Sequence, residues 1–384
     1  MAGFLSVAGL SSVLRPALKL CNLNMRSHSK SREKRVTIKD IAKVAGVTHG
    51  TVSRALNDSP LVKVETAKRI KRIAKRMGYR PDRIAQSLKR RRTKTIGLII
   101  PDILNPFFAT ITHGVEEKAT ELGYHVILVN TNRDLVREAS EIKLLCERKV
   151  DGLVICPISY GSAKHLRRFK NESPFILLGS NMPGLVVDYV VSDDVQGAYL
   201  ATTHLIDLGH RRIAHISDPS NTSPAESRTT GYKKALLERK IRVEENLVVP
   251  GGANIDSGYN AAGKLFEMPD PPTAIFAAND LTAIGILALA KERSISVPEE
   301  LAVVGYDDIE IAKYVEPPLT TVAQDKRRLG RLAVQLLCDK LNSQEETDIH
   351  QIVVQPTLVV RASSRTASKS VLNLSKVTVE SPSS

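Results

Sequence analysis

Val36-Thr37-Ile38-Lys39-Asp40-Ile41-Ala42-Lys43-Val44-Ala45-Gly46-Val47-Thr48-His49-Gly50-Thr51-Val52-Ser53-Arg54-Ala55-Leu56-Asn57 is the stretch on which the reading of this 384-residue chain turns. Ile38, Ile41 and Ala42 recur at helical spacing, which predicts a first helix entered at Thr37, whose hydroxyl suits the free backbone N–H groups of an opening turn. Gly46 supplies a tight corner. Thr48 is placed to cap a second helix with Val52, Ala55 and Leu56 inward and His49, Gly50, Ser53, Arg54 and Asn57 outward. Two short helices joined by a glycine turn, the second polar on its outer face, make a helix-turn-helix.

Charge points the same way. From Arg26 to Thr95 there are 22 Lys and Arg against 5 Asp and Glu, a balance of +17, whereas the whole chain carries +14. A basic module on a near-neutral body is the footprint of phosphate binding. A loop at 57–60 leads to a third helix from about Val64 to Met77. Its inner face carries Ala67, Ile70, Ile73, Ala74 and Met77, its outer face Lys68, Arg69, Lys71, Arg72 and Lys75. Gly78 stops it, and Asp82 can cap a short helix through Leu88.

Composition bounds the rest. The length allows two or three domains. Cys21, Cys146, Cys156 and Cys338 show no paired or metal-ligand spacing and read as buried thiols in a reducing compartment. No run approaches the ~20 apolar residues needed to span a bilayer. Residues 1–35, with Glu33 their one acid, read as a disordered leader upstream of a start at Met25. No metal or cofactor is expected. His113, His204, His210 and His215 lack ligand spacing, and Gly251-Gly252 lacks the lysine of a phosphate loop, so an enzyme reading has little to stand on.

After Thr95 short apolar runs alternate with helical periods. Strands are predicted at 95–100, 125–129, 152–155, 175–178, 213–216, 274–277 and 301–305. Helices are predicted at 107–122, 135–148, 196–208, 228–239 and 281–293. Such alternation means parallel, doubly wound sheets, and there are too many strands for one compact sheet. Two α/β lobes with a cleft between them follow. Asp102 to Phe108 trails the carboxyl end of the first strand, where such sheets bind ligands.

In this order of parts the chain resembles the LacI/GalR family of bacterial transcription regulators, from Val36 to about Arg361. The motifs are Val36–Asn57, Gly78-Tyr79-Arg80-Pro81-Asp82, Arg148-Lys149-Val150-Asp151-Gly152, Leu208-Gly209-His210, Ala278-Asn279-Asp280, Val304-Gly305-Tyr306-Asp307-Asp308 and Pro317-Pro318-Leu319-Thr320-Thr321. The fold so implied is an all-α helix-turn-helix head and hinge helix, then a two-lobed α/β body of parallel doubly wound sheets like periplasmic binding proteins. The expected boundaries are 1–35 leader, 36–81 DNA-binding head, 82–94 hinge helix and linker, 95–362 effector-binding and dimerisation body, and 363–384 disordered tail. The resemblance implies a cytoplasmic homodimer that binds double-stranded DNA at a palindromic operator, most simply as a repressor, under a small-molecule effector.

The family's base-reading positions fall on His49, Gly50 and Arg54. Arg54 can donate two parallel hydrogen bonds to one guanine. Thr37, Thr48, Thr51, Ser53 and Asn57 are candidates for phosphate contacts, with capping as the alternative role. Gly50 departs from the many members that carry a side chain there. Leu88 falls where the family wedges the minor groove, with Ile84 and Ala85 pairing the hinge helices. In the cleft, Asn105, Phe107 and Phe108 resemble the triplet by which ribose-type binding proteins clamp a sugar. Arg228, Asn279, Asp307 and Gln324 fall on effector positions, and Arg228 is alternatively an interlobe ion pair. Asp102 and Asp280 lie nearby, where capping is an equal alternative. The effector so implied is sugar-like. A purine is disfavoured because Ser180-Asn181 stands where a purine-binding member stacks an aromatic ring. The rival functions are a transporter's solute-binding protein, which has no use for residues 36–90, and a family regulator controlled by a protein partner.

Overall fold

The computed structural model describes residues 36–79, 92–252, 254–343 and 348–364, in a head and a body. The leader, Cys21, the hinge helix with Ile84, Ala85 and Leu88, and residues 365–384 lie outside the described residues.

Among the described residues the head has three helices, α1 (Ile38–Ala45), α2 (His49–Leu56) and α3 (Val64–Arg76). Thr37 opens α1 with a reciprocal cap, its backbone N–H donating to the Asp40 carboxylate at 2.8 Å and its hydroxyl oxygen accepting from the Asp40 N–H at 3.4 Å. Gly46 closes α1 in the left-handed region at φ 64, a conformation open to glycine without a Cβ clash. Thr48 caps α2 by accepting from the Thr51 N–H at 3.2 Å. Ile41, Ala42, Ala45, Val52, Ala55, Ile70 and Ala74 form the buried core. In so small a core, truncating Ile41 or Ile70 to Ala would cost about 2–5 kcal/mol, a large part of a small domain's stability.

Among the described residues the body holds two six-stranded sheets. Lobe 1 contains β1 (Thr95–Ile100), β2 (His125–Asn130), β3 (Gly152–Ile155), β4 (Phe175–Leu178), β5 (Tyr189–Ser192) and β11 (Gln351–Val354) in the order β11-β5-β4-β3-β1-β2. Lobe 2 contains β6 (Ile213–Ser217), β7 (Val248–Pro250), β8 (Ala274–Ala277), β9 (Ala302–Asp307), β10 (Thr320–Ala323) and β12 (Thr357–Val359) in the order β12-β10-β9-β8-β6-β7. All pairings are parallel except β10 with β12, so the all-parallel expectation fails at one edge. Strands such as β1 are buried along almost their whole length. Covered on both faces, they read as continuous apolar runs rather than alternating ones.

Helices supply the covering. In lobe 1, α4 (Pro106–Glu121) and α11 (Lys326–Asn342) cover one face, and α5 (Leu135–Glu147) and α6 (Ala163–Phe169) the other. In lobe 2, α7 (Asp194–Asp207) and α8 (Ser223–Glu238) lie opposite α9 (Ile255–Phe266) and α10 (Asp280–Glu292). Among the described residues the chain crosses between lobes after β5, after β10 and after β11.

Several boundaries differ from the sequence reading. α8 starts at Ser223, not Arg228, because Thr222 caps it and Pro224 sits in its first turn, where a missing N–H costs nothing. β5, β7, β10, β11, β12, α6, α9 and α11 were not anticipated. Ser363 and Ser364, expected in the loose tail, are buried in lobe 2, with Ser363 Oγ donating to Val303 O at 2.6 Å. Cys156 and Cys338 are buried free thiols as expected, while Cys146 is only partly covered. No helix among the described residues is long and apolar enough to cross a membrane.

Candidate functional site

The outward face of α2 brings together the head residues singled out from sequence. His49, Arg54 and Asn57 are exposed, and Gly50, Thr51 and Ser53 partly so. Thr37 and Thr48 both cap helices, the alternative role open to them from sequence. Asn57 donates to Ser53 O at 2.7 Å. Two bases of α3 have internal work: Arg69 donates to Ala45 O at 2.8 Å, and Lys71 pairs with Asp58. Lys68, Arg72, Lys75 and Arg76 are exposed, which leaves their charge available to phosphate.

The second site is a cleft between the lobes with about 680 Å3 of empty space including its open mouth. Asn105, Phe107, Phe108, Arg228, Asn279, Asp307 and Gln324 all line it. Asn105 caps α4, accepting from the Phe107 N–H at 3.0 Å, and so fixes the Phe pair at the helix entrance. The two rings meet edge to face, with centroids 5.1 Å apart, and pack against the lobe 1 core.

The floor is a network of buried charges. Arg228 Nε donates to Asp194 Oδ1 at 2.9 Å, its Nη1 to Ala278 O at 2.5 Å, and its Nη2 lies 3.8 Å from Asp307 Oδ1. Its guanidinium covers the Tyr306 ring at 3.8 Å. Burial works against the Arg228 charge, but Asp194 and Asp307 outweigh it and hold it protonated. The ion pair lies within lobe 2, not between lobes. Burial pushes Asp307 up to about 6, against the pull of Arg228, Lys326 and Gln324. Asp280 is raised well above the usual carboxylate range, first by burial and then by Asp307. It lies beneath the floor, accepting from the Ile309 N–H at 2.8 Å and the Thr321 hydroxyl at 2.5 Å, so its role is structural. Asp102 likewise accepts from the Leu104 N–H at 3.0 Å.

Asp307 and Asp308 have φ values of 111° and 50°. Non-glycine residues held there cost on the order of 1–3 kcal/mol each and persist only where the surroundings over-determine them. Here Lys326 Nζ donates to the carbonyl oxygens of both, Gln324 donates to Asp307 Oδ1 at 2.7 Å, and Arg361 to Asp308 Oδ1 at 2.6 Å. Asn279 is less available than its position suggested. Its oxygen caps α10 by accepting from the Thr282 N–H and hydroxyl, and its amide donates to Gly252 O.

Sequence reasoning missed Arg133, Asp218, Ser220 and Thr222, which also line the cleft. They follow the carboxyl ends of β2 and β6, so the rule applied to Asp102–Phe108 would have found them had it been carried to every strand. One rim is bridged. Tyr160 donates its hydroxyl to Glu226 at 2.8 Å and its N–H to Asn221 O at 3.0 Å, and Ser223 Oγ takes the Asn181 N–H at 3.0 Å. No group of three or more His, Cys, Asp or Glu among the described residues could hold a metal ion. His215 is a core residue, stacked on Phe276 with centroids 4.8 Å apart and pushed down to about 4 by burial.

Residues 37–82 match the family described as bacterial regulatory proteins, lacI family, and residues 202–364 match a periplasmic binding protein-like domain. The HTH-type transcriptional repressor PurR of Photobacterium profundum is 36% identical over 328 residues, 85% of this chain and 98% of that protein. PurR of Haemophilus influenzae (strain PittEE) is 35% identical over 331 residues, 85% of this chain and 98% of its own length. Among solved structures, the lac repressor dimer bound to operator and the anti-inducer ONPF superposes with a TM-score of 0.78 at 27% identity, covering 86% of this chain and 99% of that one. A transcriptional regulator CelR–cellobiose complex superposes with a TM-score of 0.66 at 33% identity, covering 86% and 100%. A DNA-binding head on a two-lobed effector body, matched to these relatives over most of its length, belongs to the LacI family of bacterial regulatory proteins.

Proposed function

We propose that this repressor reads its operator through His49 and Arg54, with Gly50 letting the backbone approach the duplex, and answers to a neutral sugar held in the interlobe cleft. The observation that carries the ligand class is the balance of the cleft. Two cations, Arg133 and Arg228, face two carboxylates, Asp218 and Asp307, beside an aromatic pair. That lining suits hydroxyls and an apolar ring face and offers no net charge to a phosphate or acid. The solved CelR complex holds cellobiose, which agrees with this reading. A flat heterocycle is disfavoured because Ser180 and Asn181 offer no ring to stack on and are tied to Ser223 across the cleft.

Two heads acting as a dimer on a palindrome, inside the cytoplasm where the DNA lies, complete the proposal. Residues 36–81 would form the head and 95–362 the effector body. Thr37, Thr48, Thr51, Ser53 and Asn57 would set register on phosphates and Leu88 would wedge the minor groove. The protein works by binding alone, with no chemical step. The effector must favour one lobe arrangement over another, and coupling to DNA is then reciprocal. Isothermal calorimetry against neutral mono- and disaccharides including cellobiose, hexose phosphates, and hypoxanthine tests the ligand class. Heat from a neutral sugar is expected. Heat from a phosphate or a purine alone would overturn it.

A further inference from the structure

Both ends of α11 lie where regulation needs a contact. At its start, Gln324 and Lys326 enter lobe 1 from β10 and hold the side chain and backbone of Asp307, the floor of the cleft. At its end, Leu341 O and Asn342 Oδ1 accept from the guanidinium of Arg92, the latter at 2.8 Å. Arg92 heads the described part of the linker that runs back along the chain toward the head. The next two residues are also docked. Asp151 accepts from the Thr93 N–H at 2.6 Å, the Thr93 hydroxyl at 2.8 Å and the Lys94 N–H at 3.1 Å. That gives the Arg148–Gly152 motif a purpose that neither DNA reading nor ligand binding supplies.

The span between the ends is stiff. Seventeen residues of helix reach about 25 Å at about 1.5 Å each. In its first two turns, near the cleft end, α11 crosses α4 backbone to backbone. A Cβ on Gly114 would lie 2.3 Å from Arg327 O, and one on Gly330 2.5 Å from Ile111 O. Arg327 and Arg331 pair with Glu117 and Glu121 beside the crossing. Since α4 begins at Asn105 and the Phe pair, both helices start at the cleft and move as one packed piece. Close packing transmits displacement instead of absorbing it.

We propose that α11 is the rod by which the cleft sets the linker, with Lys326 the positioning residue at the cleft end and the Arg92–Asp151 dock the receiving end. The proposal rests on the reading of the cleft as the effector site. A ligand drawing on Asp307 shifts the frame that Lys326 grips, and the shift reappears at Leu341 and Asn342, where Arg92 takes it to the linker.

Hydrogen exchange at the Thr93 and Lys94 amides of the full chain, with no ligand present, tests the rod. Lys326→Met should accelerate exchange there about fivefold or more, and Lys326→Arg, which keeps the donors, should restore protection. Leu166→Ala, a core truncation in α6 away from the rod, should leave both amides unchanged. If Lys326→Met loses its cooperative melt, Gln324→Met takes its place with the same expected result. Unchanged exchange at Thr93 and Lys94, or equal acceleration in Leu166→Ala, would overturn the proposal. Because no sugar is used, such a failure would sink the rod and leave the sugar reading to calorimetry.

Discussion

Arg54 on α2 and Arg228 on the cleft floor are the same side chain put to opposite uses. Arg54 is exposed, and among the described residues no carboxylate pairs with it. Arg228 is 12% exposed on its side chain and is committed to Asp194, Asp307, Ala278 O and the Tyr306 ring. A surface that must read an outside partner leaves its donors open. A buried charge must be compensated before any ligand arrives, so few of its atoms remain to meet one. In the proposed function the cleft would therefore read by Asp307, Gln324, Arg133 and Asp218 more than by Arg228 or Asn279.

That contrast can be broken first where it is strongest. Arg228→Met strips the partner from two buried carboxylates and should destabilise the body by about 3–5 kcal/mol in urea unfolding. A loss under 1 kcal/mol would mean that the floor network is slack. Arg54→Ala has no such partners to orphan, so its melt should stay put. Its cost should appear on DNA alone, about 1–3 kcal/mol of discrimination at one guanine, with salt-dependent nonspecific binding kept. A uniform loss across sequences would assign Arg54 to phosphate instead.

Acidity sharpens the cleft side. Asp307 stands at about 6, against an ordinary 3.8. Between those values the folded protein keeps a proton that the unfolded chain has released. This group's contribution to stability is therefore lost as pH rises from about 4 to about 6. Hydroxyls donating to Asp307 favour its ionised form. Sugar affinity should then fall about tenfold from pH 7 to pH 5, and Asp307→Asn should flatten the profile in calorimetry. The smallest effect belongs to Gly50. A Cβ there would meet only Thr48 Oγ1, at 3.7 Å, so Gly50→Ala should stabilise the head by about 0.5–1 kcal/mol in thermal melts. Weaker operator binding alongside that gain would show that the backbone at Gly50 approaches the duplex.

The head was legible because its signals are local. Caps, a glycine corner and helical spacing all fall within Val36–Asn57. Most strands of the body were legible because burial on both faces makes them continuous apolar runs. α9 and α11 were missed, and glycine at their crossings, Gly258 against Thr282 and Gly330 against Ile111, does not account for it, since α4 and α10 carry Gly114 and Gly285 in equally close crossings and were read from the sequence. In the cleft, six of the seven expected residues converge because they end β9 or follow the carboxyl ends of β1, β8 and β10, while Arg228 reaches it from the second turn of α8. What Asn279 and Asp280 bond to, and the left-handed backbone at Asp307 and Asp308, depend on segments far apart in the chain. No spacing in the sequence announces them.

The most direct measurement is fluorescence anisotropy of the full-length protein on a palindromic duplex selected from a random library, against random duplex, with and without the sugar that calorimetry identifies. A preference of about a thousandfold or more for the selected site, shifted by about 5–150-fold when the sugar is added, is the expected result. Equal binding to both duplexes, unmoved by any sugar, would contradict a DNA-reading head governed from the cleft.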